Sequence, residues 1–292
     1  MTTLFDQTPH EMIDVGHSQV SYWRSGAGPD LFFVHGWPLH AATFRHLEPL
    51  LSQHFTCHFI DLPGTGQSKW GRKTKAGFAA HAETVEKVVD HLNLDRFAML
   101  GFDSGAAIAR VVAAKRKDQV TGLVMGNTEI PDHVPFLLKM LVGLSKMPGG
   151  KGALRTTLKY RWMRRSKMGF GGCFKDVDFI DGDFTDRFVT PLLTDDRVYL
   201  GQLLLAGGLN DGVLGRLEQI HSEMTAPVLM LWGNADPWFP LKLARGMMSQ
   251  FPGGAELVEF EGGKLFVHEE FADTFAEHTV QFLSKRFETA AA

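Results

Sequence analysis

The sequence predicts an α/β fold: a mostly parallel, doubly wound sheet with a helical cap inserted between two of its strands. Three observations carry this. Short apolar runs of strand length alternate with helical runs, and that alternation implies right-handed crossovers between parallel strands. One run, residues 96–100, passes without a spacer into a helical pattern through Gly101-Phe102-Asp103-Ser104-Gly105-Ala106. The rhythm then breaks over residues 131–222, which are helical in pattern and rich in Met, Phe and basic side chains. The expected division is a core of residues 1–130 and 223–292 around a cap of residues 131–222.

In chain order, residues 12–14 and 19–24 alternate in polarity and read as an opening hairpin. Residues 30–34 form a buried strand running into His35-Gly36-Trp37-Pro38, and residues 56–60 form another ending in Asp61-Leu62-Pro63-Gly64. A helix over 79–92 leads to the strand before Asp103, and a helix over 107–117 follows it. A strand at 120–125 runs into Gly126-Asn127-Thr128-Glu129, and one at 227–231 into Trp232-Gly233-Asn234-Ala235-Asp236. A strand at 256–260 and a helix over 270–286 close the pattern. Within the cap, Phe136, Leu137, Met140, Leu141, Leu144 and Met147 recur at helical spacing. They predict the apolar underside of the cap, the roof of a pocket.

A chain of 292 residues, 44% hydrophobic with net charge −3, can bury a large core without staples. Near-neutral charge leaves no electrostatic footprint for nucleic acid or an anionic membrane. The basic run at 159–167 reads as a solvated helix face. The two cysteines, Cys57 and Cys173, stand far apart and indicate reduced thiols. The start of the chain lacks the pattern of a signal peptide, and no apolar segment has the length of a membrane span. A cytoplasmic protein is expected. No His, Cys or Asp cluster has ligand spacing, so neither metal nor cofactor is expected.

The chemistry is concentrated at Asp103. A strand that turns at once into a helix brings backbones close together, and Gly101, Gly105 and Ala106 provide the room. The apex residue is then held in a strained turn with its side chain above the sheet. A carboxylate there is a nucleophile for a saturated carbon: it displaces halide or opens an epoxide and leaves an alkyl-enzyme ester. The rival nucleophile, Ser104, has the bulky Phe102 two residues before it, which fits such an elbow poorly.

Taken together and in order, His35-Gly36-Trp37-Pro38, the Asp61–Ser68 turn, the Asp103 elbow and Leu231-Trp232-Gly233-Asn234-Ala235-Asp236-Pro237 resemble the α/β-hydrolase fold over nearly the whole chain. The aspartate elbow is similar to the haloalkane dehalogenase and epoxide hydrolase branches. The resemblance implies that the Trp37 and Ser104 backbone N–H groups hold the oxyanion formed when water attacks the ester. It makes His35 a structural residue. Asn127 occupies the earlier of two positions for an orienting acid and Asp236 the later, so Asp236 is expected to orient the base, with Glu129 a second candidate.

The resemblance also implies a histidine just after the last strand, where this chain has Gly262-Gly263-Lys264-Leu265-Phe266-Val267-His268. Three readings stay open. His268 serves as base through a rearranged loop, one helical turn from Leu265. Lys264 serves with a pKa lowered by burial. Or no dedicated base exists, and the chain is a base-deficient relative that binds or is alkylated by its ligand. For the leaving group, Trp37, Trp162 and Trp238 are candidate halide donors, and the cap tyrosines Tyr160 and Tyr199 are candidate donors to an epoxide oxygen. Arg161 and Arg164 are candidates for holding a substrate carboxylate. The expectation is a hydrolase acting on a small apolar halogenated compound, with epoxide opening as the alternative.

Overall fold

The computed structural model describes residues 2–207 and 211–291. Its strands are β1 (Glu11–Asp14), β2 (Gln19–Ser25), β3 (Asp30–Val34), β4 (Thr56–Ile60), β5 (Phe97–Gly101), β6 (Val120–Gly126), β7 (Val228–Gly233) and β8 (Ala255–Phe260). They form one sheet in the order β1-β2-β4-β3-β5-β6-β7-β8. Among the described strands, only the β1–β2 and β2–β4 pairings are antiparallel. The expected hairpin is therefore the sheet's antiparallel margin. Strands β4, β5 and β7 are buried at every residue, as parallel strands covered on both faces must be.

The helices are α1 (Glu48–Leu51), α2 (Phe78–His91), α3 (Asp103–Lys115), α4 (Phe136–Lys146), α5 (Gly150–Thr157), α6 (Arg161–Arg164), α7 (Thr190–Thr194), α8 (Asp196–Gly207), α9 (Leu217–Glu223), α10 (Leu241–Met247), α11 (Val267–Glu270) and α12 (Ala272–Ala291). Helices α2 and α9 pack on α3, while α12 lies over β6 and β7 and against α1. The helix after the elbow begins earlier than its apolar pattern suggested, at Asp103 itself. The C-terminal ends of β3, β5, β6 and β7 carry Trp37, Asp103, Asn127 and Asp236, so all four residues lie along one edge of the parallel sheet.

Two features of the intervening helical segment differ from expectation. Of the described residues of the expected α4 stripe, Phe136, Met140 and Met147 are exposed, Phe136 by 81%, and none of the three lines the cavity. Leu137 and Leu141 lie outside the described side chains. The reason is layering. Helix α4 packs on α5, and it is α5 that lines the cavity through Leu154 and Thr157. Helix α9, within the segment expected as cap, packs on α3, where His221 Nε2 meets the buried Arg110 guanidinium at 2.9 Å. Among the described residues no helix is long and apolar enough to cross a membrane.

Candidate active site

Asp103 has φ +47°, a left-handed conformation that a β-carbon disfavours and that surrounding structure must hold. The holding is visible. Its N–H donates to the Asn127 carbonyl at 2.7 Å, and Thr128 Oγ1 donates to its carbonyl at 2.8 Å. The flanking glycines are obligatory by contact: a β-carbon on Gly105 would sit 2.2 Å from the Val34 carbonyl oxygen, and one on Gly101 2.9 Å from the Ala106 nitrogen.

The Asp103 carboxyl faces backbone donors. Trp37 N–H donates to its Oδ2 at 2.9 Å and lies equally close to Ser104 Oγ. Burial raises the Asp103 pKa well above the carboxylate range, and Glu129 and then Asp236 add to the rise. The Ser104 and Trp37 backbone N–H groups oppose it. The group is a buried acid whose charged form is favoured only by the two amides expected to hold the oxyanion.

Asp236 is 6% exposed, and burial pushes its pKa up to about 7. Its Oδ1 accepts the Trp238 N–H at 2.7 Å and its Oδ2 accepts the Asn127 amide at 2.7 Å. Asn127 also accepts the Gly233 N–H at 2.7 Å, tying the end of β6 to the end of β7. Lys264 donates to the Gly171 carbonyl at 2.9 Å and lowers the Asp236 pKa slightly through its charge.

His268 does not meet Asp236. It is fully buried, stacked on Phe102 at 3.7 Å between centroids, with Nε2 at 2.8 Å from Thr43 Oγ1. Thr43 donates to Glu269 Oε1, which also accepts from Arg45, so the His268 Nε2–H is the group that donates to Thr43. Burial and the Arg45 charge hold the ring neutral. The expected base is thus corrected: packing against Phe102 turns His268 toward the core side of the elbow. Leu265 and Phe266 line the cavity instead. His35 is structural, its Nε2 accepting the Leu62 N–H at 2.9 Å.

Above Asp103 lies a cavity of about 200 Å³ with mainly apolar walls, including Trp37, Leu158, Met163, Phe170, Trp238 and Leu265. Trp37 spends its indole N–H on the Gln202 carbonyl at 2.9 Å. The Trp238 indole N–H is buried without an acceptor, close enough to Cys173 to favour its thiolate slightly. Tyr199 lines the cavity, but its hydroxyl donates to the Lys151 carbonyl at 2.5 Å. Tyr160 and Trp162 are exposed and do not line it, a correction that follows from the outward face of the short helix α6. Arg161 pairs with Asp181. Arg164 reaches the cavity with its guanidinium bound to the Leu158 and Lys159 carbonyls. Sequence reasoning missed Gln202, whose Oε1 is buried without a partner. It also missed a second cavity of about 40 Å³ beside Asp103, lined by His81, Ser104 and Glu129 among others. Among the described residues no acidic, His or Cys cluster has the makings of a metal site.

A family model described as alpha/beta hydrolase fold matches residues 29–271. The chain is 27% identical over 276 residues to haloalkane dehalogenase 2 of Mycobacterium tuberculosis, covering 92% of each. It is 25% identical over 280 residues to a pimeloyl-[acyl-carrier protein] methyl ester esterase of Vibrio atlanticus, covering 92% of this chain and all of that one. The solved structure of the epoxide hydrolase CorEH without ligand superposes with a TM-score of 0.77 at 20% identity, over 96% of this chain and 99% of that one.

Proposed function

The chain belongs to the α/β-hydrolase fold family, and on that premise we propose that Asp103 attacks a small apolar halogenated compound. The attack displaces halide and leaves an alkyl ester that water then hydrolyses. The observation that carries the reading is Asp103 itself, at φ +47° on the elbow below an apolar cavity of about 200 Å³, with Oδ2 on the Trp37 N–H.

In the first step a carboxylate oxygen forms the new C–O bond while the carbon–halogen bond breaks and the halide leaves with its electron pair. In the second, water adds to the ester carbonyl. The Trp37 and Ser104 amides receive the oxyanion, and collapse breaks the ester C–O bond: one proton of the water passes to the departing alcohol and the other is released, returning the carboxylate. Halide displacement is favoured over epoxide opening by two observations. The Trp238 indole N–H is a buried donor with no acceptor, which a departing halide would satisfy. A tyrosine pair for an epoxide oxygen does not assemble, because Tyr160 is exposed and Tyr199 is already donating to Lys151. The similarity to haloalkane dehalogenase 2 points the same way.

A second reading, ligand alkylation without efficient turnover, is favoured by Leu265 lining the cavity where the resemblance calls for histidine. The test is the mass of the Asp103 peptide after incubation with bromobutane, and separately with epoxyhexane, in heavy-oxygen water. Heavy oxygen in Asp103 with continuous bromide release is the expected result. A stable butyl adduct selects the second reading, and an unchanged peptide overturns both.

A further inference from the structure

We propose that His81 is the base that activates water against the alkyl-Asp103 ester, acting from the small cavity it shares with Asp103, Ser104 and Glu129. The inference rests on the reading of Asp103 as nucleophile.

His81 lies in the first turn of α2, one turn past Gly77, and is 1% exposed. Neither ring nitrogen has a hydrogen-bond partner among the described residues. A buried imidazole with two unmet nitrogens is costly, and most such groups are satisfied by a partner or an ordered water. The cavity it lines is about 40 Å³, enough for one or a few waters, and it is the cavity that also reaches Asp103, Ser104 and Glu129. A water in that cavity would share its walls with the His81 imidazole, Asp103 and Ser104, the last an expected oxyanion donor.

The step balances. Water donates a proton to an unprotonated nitrogen of His81 as its oxygen forms a bond to the ester carbon, giving the oxyanion held by Trp37 and Ser104 N–H. Collapse breaks the ester C–O bond. The imidazolium returns that proton to the leaving alkoxide and the alcohol departs, while water's second proton, left on the new Asp103 carboxyl, is released to solvent, so Asp103 ends as carboxylate. Burial and the nearby His35 and His17 rings push the His81 pKa down to about 3, which favours the neutral ring. No such arrangement exists for His268, which lines neither cavity beside Asp103.

The test compares wild-type protein with His81→Gln, bromobutane being the probe and heavy-oxygen water the solvent. Expected is steady bromide release with heavy oxygen in Asp103 for wild type. For the variant, one bromide per chain and a butyl ester on Asp103 are expected, with ester hydrolysis slowed by about 10²-fold or more. Partial recovery of hydrolysis in His81→Ala on adding imidazole is the expected companion result. Circular dichroism checks folding, and His81→Asn replaces the glutamine variant with the same readout if that one does not fold. Ester hydrolysis at the wild-type rate in the variant overturns the role of His81. Wild type that stalls as the butyl ester overturns it too, while leaving Asp103 as nucleophile. An Asp103 peptide that is never alkylated overturns the nucleophile reading, and this one with it.

Discussion

The amide of Asn127 donates to Asp236 Oδ2 across 2.7 Å, while the Asn127 carbonyl accepts the N–H of Asp103 at 2.7 Å. One neutral residue thus joins two buried acids that would otherwise repel. Replacing it with the similarly sized leucine removes a donor from Asp236 and an acceptor from the Gly233 N–H. Asn127→Leu is expected to lower stability by about 2–4 kcal/mol, from lost bonds and an orphaned buried donor. The Asp236 titration should also move above about 7. Denaturant unfolding across pH checks both.

The Asp236 carboxyl is held up to about 7 from an ordinary 3.8. Between those values the folded chain keeps a proton that the unfolded chain has released. The Asp236 contribution to stability is therefore full below about pH 4 and lost as pH rises through about 7. Wild type should lose stability over that window, and the slope should flatten in Asp236→Asn. An unchanged slope in the variant would place the titration elsewhere.

Asp103 attacks only as the carboxylate, and burial with the charges of Glu129 and Asp236 favours its neutral form. The rate of ester formation is expected to rise with pH on a limb above the ordinary carboxylate range. Glu129→Gln removes one negative neighbour and should move that limb to lower pH. The bromide burst measured across pH reads this, and a limb that stays in place or moves to higher pH counts against the coupling.

A β-carbon on Gly36 would lie 2.7 Å from both Cβ and Oδ2 of Asp103 and 2.8 Å from the Phe102 carbonyl. The backbone that presents the Trp37 N–H must shift to accept it. Gly36→Ala is expected to slow ester formation and hydrolysis by about 10²-fold, the scale of losing one oxyanion donor. Stability should fall by about 1–3 kcal/mol from overpacking. Burst and steady-state bromide release, with thermal unfolding, measure the two effects.

The elbow was legible because its cause is local: a strand, small residues at fixed offsets and a helix all lie within Phe97–Gly101 and the residues after it. Asp236 was legible as a residue at a strand end. His268 was misread because its surroundings are remote in sequence. Phe102 stacks on it and Thr43 binds it, and neither is visible from the helix start where it sits. His81 was not singled out in the sequence, since only folding brings Asp103 and Glu129 to the cavity it lines. The α4 stripe has helical spacing, but spacing alone does not say whether a second helix lies between it and the core.

Among the described residues, Trp238 carries the one indole lining the large cavity whose N–H lacks an acceptor, since Trp37 donates to Gln202. Trp238→Phe keeps the ring and deletes the donor. Ester formation from bromobutane is expected to slow by about 10-fold or more, with hydrolysis of the ester little changed, because the halide has already left by then. Rapid-quench bromide burst rates separate the steps. A change confined to hydrolysis would assign Trp238 elsewhere.

Leu265 is 6% exposed and lines the large cavity with Trp238, whose backbone N–H donates to Asp236 Oδ1. Histidine there would face Asp103 from the opposite cavity to His81, with a buried acid in the adjoining loop to receive its second N–H. Leu265→His places a polar ring in an apolar wall, at a cost of about 1–3 kcal/mol in stability. In wild-type background it should change turnover little, because a base is already present. In the His81→Gln background it should speed hydrolysis of the butyl ester by about 10-fold or more. The rescue would be lost again in Leu265→His, His81→Gln, Asp236→Asn, since the new imidazole then lacks its carboxylate. Persistence of the ester in the double variant, with the protein folded, would mean that the Leu265 wall does not present a ring nitrogen to water at Asp103.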